Sequence, residues 1–149
     1  MSYLIDTNVL SELRRKQPDA QVVRWFSGRP AQSLFLSVLT LGEIRKGIER
    51  LDGTATDAAR RQSVSDWLEQ ELPTFFLGRV LSVDAAVADQ WGHLQARAAR
   101  PLPAIDSLLA ATALQHHLSL VTRNAKDFAG LGVDVINPWE FDESSTSSR

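Results

Sequence analysis

The sequence predicts one α/β domain built around a parallel sheet. Short apolar segments alternate with longer segments whose apolar residues recur every three or four positions, which is the pattern of strands connected by helices. The chain has 149 residues, of which 44% are hydrophobic. A chain of about this length buries roughly two-thirds of the surface that it exposes when unfolded, so one domain with its own core is expected.

The first half of the chain is predicted to contain two strands and three helices. Polar residues suited to capping precede the helices, and glycine or proline follows the second helix. In order, the elements are a strand at residues 3–5, a short helix carrying Val9, Leu10 and Leu13, a helix at 19–27, a strand at 34–38 and a helix at 40–51.

The second half continues the alternation and ends in a polar tail. The elements are a long helix at residues 54–71 that Pro73 ends, a strand at 80–83, a helix from Asp84 to about residue 99, a helix at 104–116, a strand at 118–122, a turn-rich segment at 123–132 and a strand at 133–136. Residues 142–149 are rich in serine and are expected to be disordered, because they have no apolar area to bury.

Composition excludes several kinds of functional site. The absence of cysteine removes disulfides, thiolate metal sites and cysteine nucleophiles. The sequence also lacks the histidine spacing of a zinc helix, a glycine-rich phosphate loop and a serine-hydrolase motif. Neither a membrane-spanning apolar run nor a signal-peptide pattern is recognised, so we expect a cytoplasmic protein without a membrane anchor.

The charge of the chain allows two interpretations of its basic residues. A net charge of −2 argues against binding nucleic acid through a large positive excess. Local basic runs are either solvated helix faces or a phosphate-contacting rim around an acidic pocket. They comprise Arg14, Arg15 and Lys16, then Arg45, Lys46 and Arg50, and finally Arg97 and Arg100.

Four acidic residues lie where a predicted strand passes into a helix or turn, and they are Asp6, Glu43, Asp106 and Asp127. The carboxyl ends of parallel strands face one crevice, so residues that are distant in sequence can converge there on a hard cation. The pattern therefore indicates a carboxylate cluster and, as a hypothesis, a metal-dependent nuclease.

Each of these acids also has a purely structural explanation. Asp6 is placed to cap a helix, Asp106 lies in a first helical turn where the helix dipole favours an acid, and Asp127 suits a turn. Glu43 lies away from the apolar stripe of its helix and could face solvent. Gly47 on the same face argues for function, because glycine costs a helix interior about 1 kcal/mol relative to alanine.

Six segments spread over nearly the whole chain carry a family resemblance. They are residues 4–8 (LIDTN), 36–38 (LSV), 41–47 (LGEIRKG), 106–113 (DSLLAATA), 122–128 (TRNAKDF) and 135–139 (VINPW). Together they resemble the PIN-domain ribonucleases and, within them, the VapC and FitB-like toxins of type II toxin–antitoxin pairs. The resemblance implies a three-layer α/β/α PIN domain at residues 1–141, with a central parallel sheet of about five strands.

The resemblance also implies an activity and a cofactor. Such a protein is expected to be an endoribonuclease toxin that cleaves RNA phosphodiester bonds with Mg²⁺, or with Mn²⁺ as an alternative. Asp6, Asp106 and Glu43 would be the metal ligands, directly or through water, and Thr7 and Asn8 would support Asp6.

The fourth acidic position is left open by the resemblance. Some relatives have an acid where Asn124 stands here, whereas others rely on the position of Asp127. A neutral Asn124 could still offer an oxygen, while Asp127 would add charge if its turn directs it inward. We expect Asp127 to be a catalytic residue and Asn124 to be a supporting one.

The resemblance further implies protein partners. A cognate VapB- or FitA-like antitoxin would occupy the acidic groove, often with an arginine, and the toxin would form a homodimer or a toxin–antitoxin hetero-oligomer. Trp67 and Leu68 are candidates for the contact between toxin subunits. Two alternatives are a catalytically weak PIN-like module that binds RNA or protein, and a DNA-directed nuclease of the same fold.

Overall fold

The computed structural model describes residues 1–51 and 53–142, and a five-stranded parallel sheet lies at its centre. The strands are β1 (Tyr3–Ile5), β2 (Leu34–Ser37), β3 (Val80–Leu81), β4 (Ser119–Val121) and β5 (Val135–Ile136), in the spatial order β3-β2-β1-β4-β5. All neighbouring strands are parallel. The strand that leads into Asp6 is therefore the central one, and the predicted parallel sheet is confirmed.

Helices connect these strands. They are α1 (Thr7–Leu13), α2 (Ala20–Ser27), α3 (Val38–Glu49), α4 (Ala55–Asp66), α5 (Leu72–Phe75), α6 (Ala85–Arg97) and α7 (Ala104–Gln115). Short 3₁₀ turns occur at Ala31–Ser33, Ala125–Phe128 and Pro138–Glu140. The crossover helices cover the sheet, because parallel strands need such connections to return to the same edge.

The core lies on both faces of the sheet. Ile5 packs in a cluster with Trp25, Ile48 and Phe76 on one face. Its neighbour Leu4 packs in a second cluster on the other face, with Leu109, Ala110, Leu120 and Phe128. Successive side chains of a strand point to opposite faces, so a central strand with no polar face requires a helical layer on each side. The three-layer α/β/α fold is thereby confirmed.

Several element boundaries differ from the sequence prediction, and two of these differences have a clear local cause. The helix predicted at residues 54–71 widens into a π-helix at Trp67–Glu71, and Pro73 lies in the first turn of α5 instead of ending the helical path. Proline is tolerated there because the first turn does not need its N–H group. Helix α3 begins at Val38, before Thr40, because the Ser37 side chain accepts a hydrogen bond from the Leu39 N–H at 3.0 Å.

Three expectations about the surface have different outcomes. Leu68 is buried in the core of its own chain, so the expectation that it contributes to a contact between subunits is wrong. The predicted polar tail lies outside the described residues, except for Asp142. Within residues 1–51 and 53–142, every helix is too short or too polar to cross a membrane.

Candidate active site

Asp6 lies at the carboxyl end of the central strand and is only 7% exposed. Its Oδ1 accepts a hydrogen bond from the Thr7 backbone N–H at 2.7 Å, so it caps helix α1. Its Oδ2 accepts from the Thr122 hydroxyl at 2.8 Å and from Asn8 Nδ2 at 3.5 Å. Asp6 therefore acts as a helix cap and also belongs to a wider polar network.

Thr122 is the centre of that network, and sequence reasoning gave it no role. The pairing of Ile5 with Val121 places the residues that follow β1 and β4 side by side. The buried Thr122 hydroxyl donates to Asp6 and accepts from Asn8 Nδ2 at 3.2 Å and from the Asn124 N–H at 3.1 Å. The available signal was a polar residue at the end of a strand predicted to lie in the same sheet as β1.

Glu43 projects from α3 toward the start of α1. Its Oε1 accepts a hydrogen bond from the Thr7 hydroxyl at 2.7 Å. Thr7 thus contacts Asp6 through its N–H and Glu43 through its hydroxyl, and it joins two acids that are 37 positions apart in the sequence. Glu43 is partly buried and therefore does not simply face solvent.

Asp106 lies in the first turn of α7, and its neighbour Ser107 anchors that turn. The buried Ser107 hydroxyl accepts from Trp91 Nε1 at 2.9 Å and from Gln95 Nε2 at 3.0 Å, and it donates to the Pro103 carbonyl at 2.7 Å. These bonds fix the start of α7 against α6. Sequence reasoning also missed Ser107, because its partners come from a different helix.

Asp127 and Asn124 lie together in the turn after β4. Asn124 precedes the 3₁₀ turn and donates its backbone N–H to Thr122, and the Asp127 N–H donates to the Asn124 carbonyl at 3.0 Å. Both residues are exposed. Arg100 donates a hydrogen bond to the Asp127 backbone carbonyl at 3.0 Å, so this bond does not involve the Asp127 carboxylate.

The electrostatics show that the four acids share one region. Burial raises the pKa of Asp6, hydrogen bonds from Thr122 and Thr7 lower it, and the charges of Glu43 and Asp106 raise it further. Burial likewise raises the pKa of Asp106, and the charges of Asp127 and Glu43 add to this effect. The fold therefore gathers acids from four separate segments into one repulsive cluster.

The cluster offers only oxygen donors, which are the ligand type that a hard divalent cation takes. Within residues 1–51 and 53–142, no three Asp, Glu, His or Cys side chains form a group that could hold a metal ion directly. In this arrangement the Asp6 and Glu43 carboxylates are bonded to protein donors, notably Thr7. Mg²⁺ keeps several water ligands and is commonly held by one or two carboxylates, so an open, oxygen-only site suits it.

The PIN-domain family model matches residues 3–132. This chain belongs to the PIN-domain family. The family resemblance inferred from the sequence is therefore confirmed, and it covers every segment that contributes an acid to the cluster.

Three proteins illustrate what this PIN domain is similar to. It is 34% identical to the VapC ribonuclease Y4jK of Sinorhizobium fredii, over 92% of this chain and 97% of the relative. The crystal structure of FitAcB from Neisseria gonorrhoeae matches with a TM-score of 0.83 at 34% identity, over 93% of this chain and 99% of that chain. A toxin-antitoxin complex from Klebsiella pneumoniae matches with a TM-score of 0.67 at 27% identity, over 94% and 100% of the two chains.

The basic residues of this PIN domain divide between the site and the remaining surface. Arg14 and Arg15 line a cavity of about 480 Å³ beside Glu43. Lys46 and Arg50 line a second cavity, of about 620 Å³, which Glu43 also lines. Arg45 instead pairs with Glu69 at 2.8 Å on the surface, and Arg97 lines a separate cavity with Leu94 and Gly132. Arg14, Arg15, Lys46 and Arg50 therefore lie near the acids, where a phosphate-contacting rim stays a prediction, whereas Arg45 and Arg97 lie elsewhere on the surface.

Proposed function

We propose that this PIN domain is a Mg²⁺-dependent endoribonuclease that acts as the toxin of a type II toxin–antitoxin pair. The observation that carries the proposal is the acidic cluster, in which the Glu43 charge raises the pKa of both Asp6 and Asp106 beside two cation-lined cavities. The similarity to a protein named as a VapC ribonuclease supports RNA as the substrate.

Asp6, Asp106 and Glu43 would hold Mg²⁺, directly or through water, with Mn²⁺ as an alternative. Bound there, the ion would lower the pKa of a water to supply the nucleophile and would neutralise charge on the scissile phosphate. Thr122 and Thr7 favour the ionised form of the buried Asp6, because both donate hydrogen bonds to its carboxylate. Thr7 also fixes Glu43 relative to Asp6.

Asp127 would supply the fourth acidic charge. Its charge raises the pKa of Asp106, which places it within electrostatic reach of the cluster. Asn124 would act as a supporting residue through its backbone, since its N–H donates to Thr122, the partner of Asp6. Asn8 would also be a supporting residue, because its side-chain amide donates hydrogen bonds to both Thr122 and Asp6.

A VapB- or FitA-like antitoxin is the proposed protein partner, and the toxin would form a homodimer or a toxin–antitoxin hetero-oligomer. The match to a toxin-antitoxin complex supports a partner of this kind. The acidic cluster supplies a physical reason, because an arginine guanidinium can bond carboxylates in place of a metal ion. Such a partner would inhibit the nuclease by occupying the groove above the acids.

The direct test is cleavage of a structured RNA by the purified protein, with Mg²⁺ or with EDTA. We expect Asp6→Asn and Asp106→Asn each to lower the rate by about 100-fold or more, because several kcal/mol of transition-state stabilisation would be lost. Asp89→Asn is the matched control, since Asp89 is an exposed acid on α6 that pairs with His93. Circular dichroism establishes that each variant is folded. Cleavage that survives both substitutions would reject the proposed site.

One observation supports the alternative of a catalytically weak binding module. Asp6 caps α1 and Glu43 accepts a bond from Thr7, so these acids also serve the fold. This alternative predicts RNA or antitoxin binding without Mg²⁺-dependent cleavage. DNA of the same sequence, assayed in parallel, separates RNA cleavage from a DNA-directed activity, because a 2′-hydroxyl contact would favour RNA alone.

A further inference from the structure

The two cavities beside the acidic cluster meet at the same residues. The cavity of about 480 Å³ lies over α1, α3 and α4, and its walls include Trp67 and Arg60. The cavity of about 620 Å³ lies over α3 and the start of α7, and its walls include Lys46 and Ile105. Thr7, Glu43 and Gly47 line both cavities. The two cavities therefore adjoin along α3, and we call them together the α3 groove, with each cavity as one half.

Gly47 is exposed and lines both halves of the α3 groove. It lies inside α3, where glycine weakens a helix relative to alanine. Neither the backbone nor neighbouring atoms require glycine there, because its φ is not in the left-handed region and an added Cβ would meet nothing within 4 Å. The missing side chain instead leaves open space in the groove, one helical turn beyond Glu43.

Cations lie in both halves of the α3 groove. Arg14 and Arg60 line one half, and Lys46 and Arg50 line the other. Within the part of the chain that the structure describes, none of these four residues forms an ion pair. The Arg14 guanidinium lies 4.8 Å from the centre of the Trp67 ring, which creates a flat surface of the kind on which bases stack.

We propose that the α3 groove is the path of a single RNA strand, which crosses Gly47 while the cations of the two halves contact phosphates on either side of Glu43. The proposal rests on the proposed nuclease function and deepens it. A groove with cations on both sides of an acidic centre complements a backbone that carries one negative charge per nucleotide. Gly47 is a positioning residue whose lack of a side chain lets the strand lie close to the helix.

Gly47→Leu is the first test, with Gly92→Leu as its matched control. Gly92 also lies in a helix, α6, is exposed, and has open space where a Cβ would be. Both substitutions are made in the Asp106→Asn protein, so that binding is measured without cleavage. Fluorescence anisotropy of a short labelled single-stranded RNA is expected to show binding weakened about tenfold by Gly47→Leu and unchanged by Gly92→Leu. Equal affinities for the two variants would overturn the proposal.

Salt dependence provides the second test. For a single strand, removing one phosphate contact reduces the slope of log K against log salt by about 0.7. Lys46→Gln with Arg50→Gln, and Arg14→Gln with Arg60→Gln, are each expected to reduce the slope by about 1.4. Arg97→Gln, in the separate cavity, is the control and should leave the slope unchanged. A slope change from only one of the two pairs would refute a strand that spans both halves.

Two further outcomes are informative. If Gly47→Leu weakens binding of the antitoxin but not of RNA, the α3 groove is a protein-binding site and the proposal is wrong. If the parent protein cleaves no RNA, the proposed nuclease function fails, whereas the difference in RNA affinity between Gly47→Leu and Gly92→Leu still decides the groove. Thermal unfolding midpoints of both variants establish that the comparison is made between folded proteins.

Discussion

Replacing Thr122 with valine removes one hydroxyl and leaves a side chain of similar shape. In the parent protein that hydroxyl is fully buried, donates to Asp6 at 2.8 Å, and accepts from Asn8 and from the Asn124 N–H at 3.2 and 3.1 Å. The substitution therefore affects the Asp6 carboxylate without changing any acid. It tests whether the network around Asp6 controls the site.

The expected magnitude follows from these contacts. A hydrogen bond to a charged group contributes about 1.5–3 kcal/mol, so Thr122→Val should lower the free energy of unfolding by about 2 kcal/mol. The Thr122 hydrogen bond lowers the pKa of Asp6, hence its loss raises that pKa further. The acidic limb of the rate profile should then move to higher pH. The rate with Mg²⁺ should fall about 10–100-fold, as is typical when a residue that orients a metal ligand is lost.

Initial rates of RNA cleavage, measured against pH and Mg²⁺ concentration, are the assay, and chemical denaturation gives the stability. Thr122→Ser retains the hydroxyl and serves as the control, so its pH profile should coincide with that of the parent. A Thr122→Val protein with the parent's pH profile and rate would refute the reasoning, because Asp6 would then not depend on the network. A loss of stability with an unchanged profile would give Thr122 a role in folding alone.

Two further predictions concern the other acids. Asp127→Asn should lower the rate of RNA cleavage more than Asn124→Ala does, because Asp127 acts on Asp106 through its charge whereas Asn124 contributes its backbone N–H. Equal rates for Asp127→Asn and the parent would remove Asp127 from the site. The pKa of Asp106 is raised in the folded state above its ordinary value of 3.8, so its ionised form costs stability, and this cost appears as pH rises through the raised value. Asp106→Asn should therefore raise the unfolding temperature at neutral pH and leave it unchanged well below pH 3.8. Differential scanning fluorimetry across pH would measure this pattern. A difference between variant and parent that does not depend on pH would contradict it.

The sheet could be predicted because its signals are local. Each strand is a short apolar run bounded by polar or turn residues, and the central position of β1 agrees with a strand that is apolar at both Leu4 and Ile5. The convergence of the acids was also accessible, because parallel strands and their connections bring their carboxyl ends to one edge of a sheet. Asp6 and Thr122 meet there although 116 positions separate them.

The contacts within the site could not be predicted from the same signals. The bond from Thr7 to Glu43 depends on how α1 packs beside α3, and the anchoring of α7 through Ser107 depends on Trp91 of α6. The π-helix at Trp67–Glu71 was not predicted either, because the segment resembles an ordinary amphipathic helix. These features arise from packing between elements that are distant in sequence, which helical periodicity alone does not encode.

The raised pKa values connect the stability of this PIN domain to its proposed cofactor. Folding places Asp6 where burial and two neighbouring charges oppose its ionisation, and only the bonds from Thr122 and Thr7 act in the other direction. A divalent cation would relieve the same repulsion, so ligand binding should stabilise the folded protein by about 2.7 kcal/mol at 100 times its dissociation constant. An arginine supplied by an antitoxin would relieve it too, and both cations require the same carboxylate oxygens. Metal and antitoxin should therefore compete for the acidic cluster. The repulsion between the acids costs folding free energy, and the same repulsion favours the binding of either cation.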